Sequence, residues 1–411
     1  MSDQLIPIEQ IRAARARAAG VVKTTPLDLS ATFSTLCRRQ IYLKLENLQK
    51  TGSFKVRGAL NKIQLMDPLA RVHGVITASA GNHAQGVAYA AQRAAVPVTV
   101  VMPETVSFSK AAATMGYNAQ VVLAGRGYAE AHARAVALAA ERQATFVHAF
   151  DDTEVIAGQG TLGLELLEQL PDVDTVVVPV GGGGLLAGIV SALRGAGSRA
   201  RVVAVQAAGA SSLAPSLRAG RRIELASVDT IADGLATRAI GALPFAMIHG
   251  AVEEAVEVAD AETAAAVLLL LERAKAVVEG AGAVGLAACL AGRLPASADK
   301  VVVIISGGNI DMNLLDRIIN LGLVQEGRLF RFSTRLPDRP GELQRLVSHV
   351  VDCRANIHQI LHERARPGLP LTQAAVTLEL ETRGHTHIAE IEHVLRAAGF
   401  ELRRDEGASS E

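Results

Sequence analysis

The chain has 411 residues, 49% of them hydrophobic and 20% charged, with 41 basic residues balanced by 41 acidic ones. That length suits two or three domains at roughly 100–200 residues each. The neutral balance gives no electrostatic reason to expect nucleic acid or an acidic membrane as partner.

The N-terminal stretch lacks the basic segment and following apolar run of a signal peptide. Apolar runs such as 264–271 are too short to span a bilayer. Cys37, Cys289 and Cys353 are scattered without CxxC spacing, which argues against a disulfide framework or a zinc site and fits a reducing cytoplasm. From about residue 73 onward, short Val/Ile-rich runs alternate with Ala-rich amphipathic stretches. The runs predict strands at 74–78, 98–102, 120–123, 145–148, 175–180, 202–206 and 300–305. Each run is continuously apolar, as in strands buried on both faces. Helical patterns lie between them, for example at 83–95, 128–142 and 185–193. Repeated β-then-α order implies an α/β fold with largely parallel sheets and right-handed crossovers. Residues 1–325 would form one domain, with a smaller open-sheet lobe at about 74–150 inserted in a larger one.

After residue 328 the pattern changes to strand 329–335, helix 341–352, strand 356–364, strand 373–381, helix 387–398 and strand 400–403. That order, βαββαβ, is ferredoxin-like and predicts a separate domain over 328–405, followed by a polar tail at 406–411.

Four clusters sit at predicted strand ends, where open parallel sheets bind ligands. The first is Thr51-Gly52-Ser53-Phe54-Lys55-Val56-Arg57-Gly58-Ala59. By itself Lys55 reads as a solvated lysine or as one with a lowered pKa that forms imines. The second, Ser79-Ala80-Gly81-Asn82-His83, opens a helix; its small residues and helix-start amides suit a carboxylate or phosphate, though Ser79 or Asn82 could equally be an N-cap. The third is Gly181-Gly182-Gly183-Gly184-Leu185. Consecutive glycines cost entropy and let backbone N–H groups converge on an anion. No Lys-Ser/Thr pair follows, so a nucleotide triphosphate site is not expected, and a single phosphate fits better. The fourth, Ser306-Gly307-Gly308-Asn309, could be an ordinary turn or a hydroxyl held at a central strand end. An amine, a phosphate cradle, a polar loop and a buried hydroxyl are the parts that a pyridoxal-phosphate (PLP) site needs.

In this order the clusters resemble the threonine dehydratases (threonine ammonia-lyases) of the fold-type II PLP enzymes, together with Ala157-Gly158-Gln159-Gly160-Thr161 and Glu279-Gly280-Ala281-Gly282-Ala283. The resemblance implies that Lys55 is the imine lysine and the base at Cα. It implies Asn82 at the cofactor's 3′-oxygen, Gly181, Gly182, Gly183, Gly184 and Leu185 at its phosphate, Ser306 at its ring nitrogen and Phe54 beside the ring. Ser79 and His83 would hold the substrate carboxylate. L-Threonine would give 2-oxobutanoate and ammonia, and L-serine pyruvate. Serine racemases share the fold but carry a serine at the position matching Ala80; alanine carries no proton, so the chain reads as a lyase. Some relatives bind a divalent cation through a glutamate where this chain has Gln206; the neutral amide argues against a divalent metal and leaves a monovalent cation open. A homodimer or homotetramer is implied. A catalytically silent amino-acid sensor is the competing reading, opposed by the intact Lys55, glycine loop and Ser306.

The C-terminal βαββαβ segment resembles an ACT domain through the turn Leu336-Pro337-Asp338-Arg339-Pro340-Gly341-Glu342-Leu343. The resemblance implies an amino-acid effector, isoleucine or valine, near Gly341 and Asn356; a pure dimerisation module is the alternative.

Overall fold

The structure is a computed structural model that describes residues 5–252, 254–365 and 367–404. The chain divides into two compact units between Asp311 and Met312.

The first unit carries two sheets. In chain order its strands are β1 (Leu27–Leu29), β2 (Gln40–Leu45), β3 (Val75–Ala78), β4 (Val98–Met102), β5 (Gln120–Leu123), β6 (Thr145–Phe146), β7 (Thr175–Pro179), β8 (Arg201–Ala207), β9 (Glu254–Val258) and β10 (Lys300–Ile305). The larger sheet runs β1-β2-β10-β7-β8-β9 and the smaller β5-β4-β3-β6. All neighbours are parallel except β1, which pairs antiparallel with β2 at Leu27↔Lys44. The register sets Val302 between Tyr42 and Val176. Strands β3, β4 and β7 are buried along their whole length, as their unbroken apolar runs require. Each fully buried Val or Ile contributes roughly 1.5–3 kcal/mol relative to exposure.

Three strands lie outside the seven predicted ones: β2, an apolar run interrupted by Lys44, and the two edge strands of the larger sheet. β1 has only three residues, and β9 is partly exposed and carries Glu254 and Glu257. Neither presents a long apolar run. β6 stops at Phe146 instead of 148, because the His148 ring turns to accept from the backbone N–H groups of Phe150 and Asp151.

Helices Thr153–Gln169 and Gly184–Gly195 pack face to face through small residues. A Cβ at Gly188 would lie 2.6 Å from Gly160 N and Ile156 O, so only glycine permits this approach. Asp152 caps the first of these helices, accepting from Glu154 N and Val155 N at 2.9 and 3.0 Å. Such a cap is worth about 1 kcal/mol.

The second unit begins with helix Met312–Gln325, which the sequence pattern assigns to the preceding domain. Then come β11 (Leu329–Pro337), helix Glu342–Asp352, β12 (Asn356–Glu363), β13 (Gln373–Glu381), helix His385–Ala397 and β14 (Arg403–Arg404). The sheet is antiparallel in the order β12-β13-β11-β14. Phe332, Leu346, Val350, Leu378, Ile391 and Leu395 fill its core. The last strand starts later than the expected 400–403: Phe400 and Leu402 are spent on the core, and pairing begins at Ser333↔Arg403. The polar tail at 406–411 lies outside the described residues. Among the described residues no helix is long and apolar enough to cross a membrane.

Candidate active site

Lys55 opens helix Lys55–Gln64. The chain reaches it from β2 through a tight turn in which Thr51 and Gly52 take φ of 60° and 72°. A bridge between Ser53 and Gly307, and a bond from Phe54 N to Ser306 O at 3.2 Å, pin this turn to the end of β10. Lys55 and Ser306, far apart in sequence, thereby become neighbours. Two close crossings hold the helix. Gly86 admits the Lys55 backbone, where a Cβ would sit 3.1 Å from the Lys55 carbonyl carbon. Gly158 faces Gly58, where a Cβ would sit 2.6 Å from Gly58 Cα and Arg57 O. Beneath it, buried Arg57 bonds Glu46 and Glu165, and Lys44 bonds Glu165 at 2.5 Å. This network of two cations and two carboxylates fixes the first turn.

The Lys55 Nζ donates to Ala149 O at 3.1 Å and lies 5.2 Å from the Phe54 ring centroid. Burial pulls its pKa down to about 8, against the opposing pull of Glu279. About a tenth to a fifth of the amine is therefore neutral between about pH 7 and 7.4, far more than for an exposed lysine, and the neutral form is what a nucleophile or base requires.

The glycine loop follows β7. A Cβ at Gly182 would fall 2.2 Å from the Phe150 ring, one at Gly184 3.0 Å from Phe150 Cα, and one at Gly181 3.1 Å from Leu235 Cα. Gly183 has φ of 92°. Side chains are excluded here by contact as well as by conformation, so the backbone itself faces the cavity. No side chain caps helix Gly184–Gly195, which leaves its first amides and the positive end of its dipole for an anion. The loop is a cradle that suits a phosphate.

The segment after β3 forms the opposite wall. Gly81 N donates to Ser79 Oγ at 3.2 Å, and helix Asn82–Arg93 also lacks a side-chain cap. His83 follows Asn82 in this helix. Its buried Nε2 faces Val147 O at 3.1 Å and so must carry the proton. Burial, with Lys55 and His148 acting in the same sense, lowers its pKa to about 3. The neutral ring leaves Nδ1 as a bare lone pair without a partner, unsuited to holding a carboxylate. His83 reaches the cavity with its backbone amide at the helix start.

Ser306 is buried, and its Oγ donates to Ala281 O at 3.3 Å. Beside it, Asn82 Nδ2 donates to Glu279 Oε1 at 2.5 Å. Burial and the nearby Asp233 raise the Glu279 carboxyl to about 7. In the sequence Glu279 stands in a motif with no role assigned to it, and Phe150, Lys110 and Asp233 are missed altogether. Lys110 and Asp233 form an ion pair at the cavity. Their pairing arises from tertiary placement and has no local sequence signal. One cavity of about 730 Å³ is bordered by Lys55, Ser79, Asn82, Gly182, Glu279 and Ser306. The four sequence clusters thus meet at a single place. Among the described residues no group of three or more His, Cys, Asp or Glu could hold a metal ion.

An amine, a phosphate cradle and a buried hydroxyl around one cavity define a PLP site, and the chain belongs to the pyridoxal-phosphate dependent enzyme family, whose model matches residues 19–307. It is 47% identical to the L-threonine ammonia-lyase of Thermotoga maritima, over 97% of this chain and 99% of that one. Among solved structures it resembles maize serine racemase (TM-score 0.73, 34% identity, covering 78% of this chain and 99% of that one). It also resembles the processed form of threonine deaminase isoform 2 from Solanum lycopersicum (TM-score 0.72, 35% identity, covering 76% of this chain and 93% of that one).

Proposed function

We propose that this protein is a PLP-dependent threonine ammonia-lyase, converting L-threonine to 2-oxobutanoate and ammonia and L-serine to pyruvate and ammonia. The observation that carries the reaction class is the meeting of Lys55, the Gly181–Gly184 cradle and Ser306 around one cavity. The substrate is supported by the near full-length relative named for L-threonine.

Bound PLP supplies an electron sink that acidifies the Cα proton of an amino acid joined to it. Lys55 would hold the cofactor through its side-chain amine. The same amine, with a pKa of about 8, would serve as the base for the substrate's Cα proton. The amides of Gly181, Gly182, Gly183, Gly184 and Leu185 hold the phosphate. The Ser306 hydroxyl would meet the ring nitrogen, Phe54 would pack beside the ring, and an Asn82 N–H would meet the ring oxygen. Ser79 Oγ and the amides that open helix Asn82–Arg93 hold the substrate carboxylate. Ala80 lines the same cavity and carries no proton, so Lys55 has no partner base there for racemisation. The second unit is proposed as an ACT domain that binds isoleucine or valine near Gly341 and Asn356. The βαββαβ order from β11 to β14 supports this, as does Gly341 at φ of 94° leading helix Glu342–Asp352. A homodimer or homotetramer in the cytoplasm completes the reading; the three free cysteines suit that reducing compartment.

A kcat/KM panel over L-threonine, L-serine and 3-hydroxyaspartate tests it, with D-serine formation measured alongside. Threonine should give stoichiometric ammonia and 2-oxobutanoate. Appreciable D-serine from L-serine, or no ammonia from either substrate, would overturn the assignment.

A further inference from the structure

Both N–H groups of the Asn309 amide are engaged, yet the residue has no part in the reaction as derived above. Its Nδ2 donates to Thr51 O at 2.7 Å and to Asn82 Oδ1 at 2.7 Å. A backbone carbonyl only accepts, so the Asn309 atom facing Thr51 is nitrogen. With nitrogen there, the Asn82 atom facing Asn309 must be oxygen. Asn82 Nδ2 is then turned to Glu279 Oε1 at 2.5 Å, which uses one of its two N–H groups and leaves the other. Glu279 is in turn anchored, its backbone N donating to Gly307 O at 3.1 Å. Orientation therefore passes from the Thr51 carbonyl through Asn309 to Asn82. The turn is shaped for this: a Cβ at position 52 would lie 2.6 Å from Asn309 Oδ1, and Gly52 supplies none. Asn82 belongs to the helix that follows β3 of the smaller sheet, whereas Asn309 and Glu279 flank β10 of the larger one. The amide is locked only where the two sheets meet.

We propose that Asn309 is a positioning residue that fixes the Asn82 amide so that an N–H, and not its carbonyl, faces the ring oxygen of PLP. This rests on the placement of Asn82 in the reading above. A donor at that oxygen favours its ionised form, and an acceptor favours its protonated form. The two forms absorb differently, in the visible and the near ultraviolet, so their ratio at constant pH reports which group Asn82 presents. A residue that merely ties two loops together would change melting temperature or cofactor affinity without changing that ratio.

The experiment compares holoenzyme spectra at one pH for wild type, Asn309→Asp, Asn82→Ala and the double variant. In Asn309→Asp the new carboxylate would face the Thr51 and Asn82 oxygens, so the Asn82 amide should reverse. The visible-to-ultraviolet ratio should fall about tenfold in Asn309→Asp, the equivalent of about one pKa unit. In the Asn82→Ala background the same change should produce no further shift, because coupled residues are non-additive. An unchanged ratio in Asn309→Asp, or a fall that persists in the double variant, overturns the proposal. Asn309→Ala introduces no charge and should bind PLP with a ratio below wild type. If it binds no cofactor, or binds it with the wild-type ratio, Asn309 serves the loop alone and the proposal fails. A wild type without the visible band would instead contradict the role of Lys55.

Discussion

A lysine amine must be neutral to attack an aldehyde, and burial brings Lys55 to that state near pH 8. An exposed lysine reaches it only near about 10.4. The rate at which the apoprotein captures PLP should therefore rise about tenfold per pH unit below about 8 and level off above it. Rapid-mixing absorbance at a series of pH values measures this, and a rise continuing to about pH 10 would contradict the burial argument. Within its own window, Lys55 cannot be told from a surface lysine. It becomes legible only in company with the glycine loop, whose entropic cost signals a use. Phe150 is not legible, because its role is to lie against Gly182, and nothing near either residue announces the other. The direction of the His83 ring is not legible for a related reason: a histidine at a helix start can turn outward or back to a carbonyl, and only the position of Val147 O decides.

Helix Lys55–Gln64 is placed by contact more than by propensity. Its crossing with helix Thr153–Gln169 depends on Gly158, where an added methyl would meet only backbone atoms at 2.6 Å. Backbone cannot rotate away, so Gly158→Ala should lower unfolding stability by about 1–3 kcal/mol. It should also reduce kcat by displacing the turn that carries Lys55. Gly127→Ala, with nothing within 4 Å of its Cβ, should stay within about 0.5 kcal/mol of wild type. Urea unfolding of both variants checks this, and equal losses would mean that the crossing is not the cause. At this scale the sequence is most legible where strands form unbroken apolar runs: β4, β5 and β10 run over the predicted residues. It is least legible at the sheet edges. β1 and β9 are short or partly polar, and neighbouring strands complete them.

For the whole molecule, the change from alternating β and α elements to βαββαβ is visible in the sequence, while the point of division is not. Helix Met312–Gln325 groups with the second unit, although the sequence pattern ends the first domain at 325. An amphipathic helix carries no mark of which core it joins. If the second unit is the regulatory one, deleting residues 328–411 should leave ammonia release from threonine intact and remove its response to isoleucine and valine. Inhibition curves for the full-length and truncated chains decide this, and equal sensitivity in both would contradict the role.

The central claim is that Lys55 carries the cofactor. Borohydride reduction of the holoenzyme followed by peptide mapping tests it most directly. A phosphopyridoxyl group should appear on the peptide containing Lys55, with no such label in Lys55→Ala. Label on Lys50 or Lys62, or undiminished labelling of the Lys55→Ala protein, would contradict it.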